Sequence, residues 1–101
     1  MKIVTFCDIN DGIIDSKHTI EHFQSGSTGD AQIAILDINS IFDFEENKHE
    51  ACAEKFATIA ILEDESDYDA FKNFGIDSWI KVDDLGDINE LINIIEKRFL
   101  S

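Results

Sequence analysis

Two aspartates, Asp8 and Asp37, lie at the ends of apolar runs that have the character of buried strands, residues 3–7 and 33–38. In parallel sheets the functional residues collect at the carboxyl ends of the strands, so we expect these two carboxylates to lie at one edge. Carboxylate oxygens are the ligands that Mg²⁺ prefers. The pair therefore predicts a weakly held Mg²⁺ site, and the alternative is two acidic residues in solvated loops.

One cysteine and two histidines are the other side chains that could take part in chemistry. Cys7 ends the first apolar run and could supply a thiolate nucleophile. His18 and His22 are four residues apart, a spacing that on a helix could ligate a metal. They are offset from the apolar positions of the same segment, Ile20 and Phe23, which favours solvated histidines.

Composition restricts the class of protein. The chain has 101 residues, so we expect a single domain, residues 1–101, that buries one core without disulfides or a metal. Its 22 acidic and 8 basic residues give a formal charge of −14. Such a surface repels nucleic acid and anionic lipid, because phosphate binding needs clusters of Lys and Arg. The expected partner is another protein, with a basic surface, or a second copy of the chain.

The cellular location is predicted from what the sequence lacks. Cys7 and Cys52 have no CxxC spacing and lie in apolar contexts, which indicates reduced thiols. No apolar run approaches the roughly 18 residues that span a membrane. The amino terminus lacks the apolar core of a signal peptide. We therefore expect a cytoplasmic protein.

Four apolar runs predict the strands that would position these residues: 3–7, 33–38, 58–62 and 78–82. The first three are nearly continuous, as in parallel strands that are covered on both faces. The fourth alternates more between apolar and polar residues, which is typical of an edge strand.

Helical patterns fill the intervals between these runs. They predict a first helix over residues 16–24 and a second from Asp43 to about residue 56, in which Glu46 completes a capping box. A third helix would run from Ser66 to Gly75, which would adopt the left-handed conformation. The last helix has an apolar stripe of Ile88, Leu91, Ile92, Ile95 and Phe99. The alternation of strands and helices predicts a three-layer α/β domain. Its mainly parallel sheet would have four or at most five strands, with about four helices. The roughly two dozen residues between Asp8 and Ile33 leave room for one helix but not for an additional strand and helix.

The back two-thirds of the chain, but not its front, resembles a bacterial response-regulator receiver domain. The sequence IAILDI places Asp37 where that family carries its phosphorylated aspartate, and FDFEE resembles the segment that follows it. The sequence GIDSWIKVDD resembles the family's GADDYLTKPF, with Lys81 one residue before the conserved lysine position. The resemblance implies a flavodoxin-like fold.

Several receiver positions differ in this chain. Cys7 and Asp8 replace the family's acidic pair, and Glu63 stands where a Ser or Thr would hold the phosphoryl group. A carboxylate at that point repels phosphate, and a lysine shifted by one residue points to the opposite face of its strand. We therefore expect a degenerate receiver in which Asp37 is the phospho-acceptor candidate but is not phosphorylated.

The resemblance implies a non-enzymatic regulatory domain that acts by protein–protein contact. The partner would bind the last helix and the acidic loop before it, with Trp79, Lys81, Asp83 and Asp84 as candidate contacts. Trp79 is either a recognition residue or part of the core, and the sequence favours neither. No cofactor is expected beyond weakly bound Mg²⁺.

Two other families offer alternative functions. IAILDINSIFDF and GIDSWIKVDDLGDINEL also resemble signature segments of STAS domains, the anti-sigma-factor antagonists, although no phosphorylatable serine follows Asp43. Cys7 at the end of a first strand resembles the phosphocysteine of sugar phosphotransferase IIB components. The acidic residues that follow Cys7 oppose both thiolate formation and phosphate binding.

Overall fold

The computed structural model describes residues 1–7, 9, 11–23 and 29–99, apart from the side chains of residues 11 and 99. Within these ranges five parallel strands form one sheet in the order β2-β1-β3-β4-β5. They are β1 (Lys2–Thr5), β2 (Thr19–His22), β3 (Ala31–Asp37), β4 (Cys52–Leu62) and β5 (Ser78–Lys81).

Three α-helices accompany the sheet in the described ranges: α1 (Ile41–Ala51), α2 (Ser66–Phe71) and α3 (Ile88–Phe99). Short 3₁₀ segments occupy Asp11–Ile13, Lys72–Phe74 and Val82–Asp87. The predicted class, an α/β domain of flavodoxin-like type with a parallel sheet, is confirmed. The sheet has the larger of the two expected strand numbers, and one predicted helix is absent.

The missing helix is the one predicted over residues 16–24, where the structure has strand β2. The prediction was based on two apolar residues three positions apart, Ile20 and Phe23. On an extended chain that spacing sends side chains to opposite sides. Ile20 packs with the apolar layer under α3, whereas Phe23 packs with the layer under α1 and stacks on Phe6 with ring centroids 4.7 Å apart.

The predicted helix from Asp43 to about residue 56 has different ends in the structure. It begins two residues earlier, at Ile41, with Ser40 as the N-cap, and it ends at Ala51. The next residue, Cys52, already belongs to β4 and pairs with Ala31. The residues that follow it, Glu54 and Lys55, are exposed and charged. The start of β4 therefore does not form an apolar run and was not predicted as a strand.

The core consists of two apolar layers, one on each face of the sheet. One layer joins strand residues such as Val4 and Leu36 to Phe44 of α1 and Phe71 of α2. The other layer joins isoleucines of β1, β3, β4 and β5 to α3, in which Ile88, Ile92 and Ile95 are fully buried, as the predicted stripe requires. Both faces are therefore covered, and the strands alternate between the two layers.

Two local predictions about the last third are confirmed. Gly75 adopts the left-handed conformation, with φ of 67°, after the 3₁₀ turn that extends α2. Strand β5 lies at the edge of the sheet and pairs with β4. In the described part of the chain, no helix combines the length and apolar character needed to cross a bilayer.

Candidate functional site

The carboxyl ends of β1 to β4 surround a cleft of about 550 Å³, which we call the strand-end cleft. It is lined by Thr5, Phe6, Cys7, His22, Phe23, Asp37, Asn39, Ser40, Asp43 and Glu63. The parallel arrangement brings these residues together because each strand ends on the same side of the sheet. Cys7, Asp37 and Glu63 were singled out in the sequence, and the structure confirms that they share one site.

Asp37 is built into the turn that leads from β3 into α1. Its Oδ1 accepts hydrogen bonds from Asn39 N at 3.0 Å, from Ser40 N at 3.0 Å and from Ser40 Oγ at 2.9 Å. The Ser40 hydroxyl in turn accepts a hydrogen bond from Asp37 N at 3.0 Å. Ser40 is buried, so this exchange closes the turn and starts the helix. One carboxylate oxygen of the phospho-acceptor candidate therefore has a structural role.

The opposite wall of the cleft is formed by β1 and β2. Thr5 Oγ1 and His22 Nδ1 lie 2.8 Å apart, in hydrogen-bond contact, and Cys7 lies two residues after the end of β1. Cys7 shares the cleft with the carboxylates of Asp37, Asp43 and Glu63. Their negative charge opposes both a thiolate and a bound phosphate at this position.

The strand-end cleft is short of cations. None of the chain's eight lysines and arginines, all of which are described, lines it. Lys81 ends β5, and its Nζ lies 3.7 Å from Glu65 Oε1 instead of over Asp37. The expectation from the shifted register, that the ammonium group points away from the acceptor position, therefore agrees with the structure.

The predicted Mg²⁺ site is only half within the described residues. Asp37 lines the cleft, but Asp8 lies outside the described residues, so the pairing of the two carboxylates stays a prediction. No group of three or more His, Cys, Asp or Glu side chains in the described ranges could hold a metal ion. The oxygen of Asp37 that the turn uses is also less available to a cation.

The histidine pair does not form the expected helical arrangement. His22 is exposed at the end of β2, as predicted, but His18 is buried, with 8% of its surface exposed, so its predicted solvation is wrong. His18 Nδ1 has no hydrogen-bond partner in the described structure. Burial lowers the pKa of His18 below 6.5, assisted by the amino terminus and Lys17 and opposed by Glu96 and Asp15.

A second surface, the β5 groove, lies beside the edge strand and has a volume of about 550 Å³. Its lining combines apolar residues with an acidic rim: Leu62, Trp79, Ile80, Lys81, Asp84, Asp87, Glu90, Leu91 and Ile94. Ile94 is 48% exposed although it is a large apolar side chain. Three of the four predicted partner contacts, Trp79, Lys81 and Asp84, line this groove, whereas Asp83 borders a smaller neighbouring hollow.

Trp79 belongs partly to the core, one of the two roles between which the sequence left a choice, and its role in recognition stays a prediction. Its ring is half-buried, packs against the apolar layer of α1 and α2, and lies 5.1 Å from the ring of Tyr68. The same side chain also lines the β5 groove. Its indole Nε1 is buried without a hydrogen-bond partner among the described residues. Tyr68 and Val82, which flank β5, are exposed to 47% and 43%.

Reasoning from the sequence missed several groove residues, and signals for them were present. Asp87 and Glu90 were not among the predicted partner contacts, although both are acidic residues at the start of the last helix. Ile94 falls outside the buried stripe of α3, so its large apolar side chain does not pack into the core of the domain and forms part of an exposed apolar patch. In the strand-end cleft, Ser40 was also missed, because its bonds to Asp37 depend on the geometry of the turn. The Thr5–His22 contact was missed because it connects two separate segments.

The chain matches no protein-family model, and searches of curated proteins and of solved structures find no match to it.

Proposed function

We propose that this protein is a non-enzymatic regulatory domain of the cytoplasm that acts by binding another protein through the β5 groove. The observation that carries the proposal is the composition of that groove, in which exposed Ile94 and half-buried Leu91 adjoin the carboxylates of Asp84, Asp87 and Glu90. An apolar patch with a polar rim is the usual anatomy of a protein interface. Among large apolar residues that are exposed, Tyr68 and Val82 flank the same strand, which extends the patch.

We also propose that the domain is receiver-like without being phosphorylated. A phosphoryl group on Asp37 would need cations and hydrogen-bond donors for its oxygens. The strand-end cleft instead offers the carboxylates of Asp43 and Glu63, and none of the lysines or arginines of the chain lines it. Repulsion between these carboxylates and a phosphoryl group disfavours the modified state.

The binding proposal is tested by site-specific photocrosslinking in cells that naturally make the protein. A benzoylphenylalanine at position 94 should give one crosslinked species of defined mass, and the same group at exposed Glu54, at the amino-terminal end of β4, should give none. A crosslink that depends on Asp84 and Glu90 would support the groove as the binding surface. Equal crosslinking from both positions, or none from position 94, would refute it.

The phosphorylation proposal has a separate test. Beryllofluoride with Mg²⁺, which mimics an aspartyl phosphate, is added to ¹⁵N-labelled protein while amide signals are recorded. We expect the amides of Asp37, Asn39 and Ser40 to keep their positions, because those of Asn39 and Ser40 already donate to one oxygen of the acceptor and that of Asp37 donates to Ser40 Oγ. A shift that disappears in Asp37→Asn would show a working receiver.

A further inference from the structure

The β5 groove contacts three consecutive residues of one strand, Trp79, Ile80 and Lys81. Successive side chains of a strand point to opposite faces of the sheet. Trp79 accordingly packs with the layer of α1 and α2, whereas Ile80 packs with the layer of α3. A groove that reaches all three residues therefore borders the main chain of β5, and it also extends to Leu62 at the carboxyl end of β4.

The main chain of β5 has an open side. Of the strands described, only β4 pairs with β5, so the opposite edge has no strand beside it. An edge strand presents a row of N–H and C=O groups that can pair with another extended chain. The apolar floor of the groove, with Ile80, Leu91 and Ile94, lies beside this edge and could hold alternate side chains of such a segment.

We propose that the edge of β5 takes up a short extended segment of another protein as an additional parallel or antiparallel strand, with apolar and basic residues alternating along it. The inference depends on the proposed function and specifies its partner. Apolar side chains of the segment would enter the groove, and the negative charge of Asp84, Asp87 and Glu90, which are all exposed, would attract its basic side chains.

Charge selects this occupant over a second copy of the same chain. Each copy carries −14, and pairing of two β5 edges would bring two acidic rims together. Like charges across an interface disfavour binding, whereas opposite charges speed association and fix the register. The single cation of the groove, Lys81, lies 3.7 Å from Glu65, so the rim remains acidic overall.

The first test uses a synthetic seven-residue peptide of alternating lysine and isoleucine. Binding should protect amides of residues 78–81 from hydrogen exchange and shift their signals. The same peptide with every main-chain amide N-methylated can donate no main-chain hydrogen bond from either edge and should bind at least about tenfold more weakly, since each main-chain bond it loses contributes to affinity. A peptide with glutamate in place of lysine should not bind.

The second test changes the rim and not the peptide. Asp84→Lys with Glu90→Lys should weaken binding roughly fivefold for each reversed charge, as expected for exposed ion pairs. The matched control, Glu46→Lys with Glu54→Lys, makes the same change of net charge at exposed positions outside the groove and should bind like the native protein.

Two results would overturn the inference. One is equal binding of the methylated and unmethylated peptides, or a bound peptide that is helical. The other is the absence of any shift at residues 78–81 with millimolar lysine–isoleucine peptide. In either case a groove-dependent crosslink from position 94 would still support the proposed function, whereas failure of the crosslink would contradict that function itself.

Discussion

Replacing Asp37 with alanine should destabilise the fold, because Asp37 holds the turn between β3 and α1. The change removes an acceptor from three donors, Asn39 N, Ser40 N and Ser40 Oγ. Asn39 is exposed, so its N–H can bond to water, and Ser40 N retains the Asp37 carbonyl at 3.1 Å. With net values near 1 kcal/mol for each bond and partial replacement by water, we expect a loss of about 2 kcal/mol.

Three further variants separate the sources of this loss. Asp37→Asn keeps an oxygen in place of Oδ1 and should cost less than about 1 kcal/mol. Ser40→Ala removes the acceptor of Asp37 N and a donor to Asp37 Oδ1, and it should cost about 1–2 kcal/mol, as expected for the loss of two hydrogen bonds of a buried hydroxyl. The double variant with alanine at both positions should lose less than the sum, by about 1 kcal/mol, because the two side chains bond to each other.

Urea unfolding followed by the fluorescence of Trp79, the single tryptophan, measures these changes. A loss of about 2 kcal/mol lowers the midpoint by about 1 M urea for a domain of this size. The control is Asp43→Ala, which removes an exposed carboxylate from the same cleft and no side-chain acceptor of the turn. If Asp37→Ala costs no more than Asp43→Ala, the structural role assigned to Asp37 is wrong.

Three other predictions concern stability, thiol reactivity and the placement of β5. Because burial lowers the pKa of His18 in the folded state, the unfolded chain binds more protons, so stability should fall as pH drops below about 6.5. His18→Leu should flatten this dependence in urea unfolding, whereas His49→Gln, at an exposed site, should not. Burial raises the pKa of the Cys52 thiol to about 11, so maleimide at pH 8 should label only Cys7 in the native protein and should label Cys52 after unfolding. Mass spectrometry counts the labels, and two labels in the native protein would contradict this. The Thr58 hydroxyl accepts from Asp77 N at 2.9 Å and donates to Asp77 Oδ2 at 3.1 Å, so Thr58→Val should cost about 1–2 kcal/mol in urea unfolding and Thr58→Ser less. A smaller loss for Thr58→Val than for Thr58→Ser would mean that the methyl group, and not the hydroxyl, matters.

The parts of the fold that the sequence predicted are those with a dense local signal. Strand β3 and the end of β4 are nearly continuous apolar runs, and α3 carries three isoleucines at helical spacing. Strand β3 and the end of β4 are buried over most of their length, and the three isoleucines of α3 are fully buried, so burial and sequence pattern agree. The edge position of β5 was also evident, because an edge strand alternates between apolar and polar residues.

The parts that were missed depend on contacts between distant segments. Strand β2 has four residues, and none of them is fully buried. It forms because it pairs with β1, from the Lys2–Thr19 pair to the Thr5–His22 pair. The start of β4 pairs through Ala31 and Cys52 before the register shifts at Ile33. Neither pairing leaves a periodic trace in its own segment, so local propensity could not show it.

Each candidate site was likewise partly predicted from the sequence and partly dependent on the three-dimensional structure. The position of Asp37 at the end of β3 followed from the strand pattern, but its bonds to Ser40 required the geometry of the turn. The β5 groove collects residues from the ends of β4 and β5, a 3₁₀ segment and α3. Its acidic members were visible as charges in the sequence. Their arrangement around an exposed Ile94 was not, since it depends on how α3 rotates against the sheet.

The charged residues on the rim of the β5 groove can be mutated with little effect on the fold. Ion pairs such as Lys72–Asp69 and Lys81–Glu65 are largely exposed, and pairs of this kind contribute little to stability. A net charge of −14 opposes compaction, so the two apolar layers must supply most of the favourable free energy of folding. Reversing exposed charges at Asp84 or Glu90 therefore leaves the main source of stability intact. Any loss of binding that follows reports on the rim itself and not on the fold.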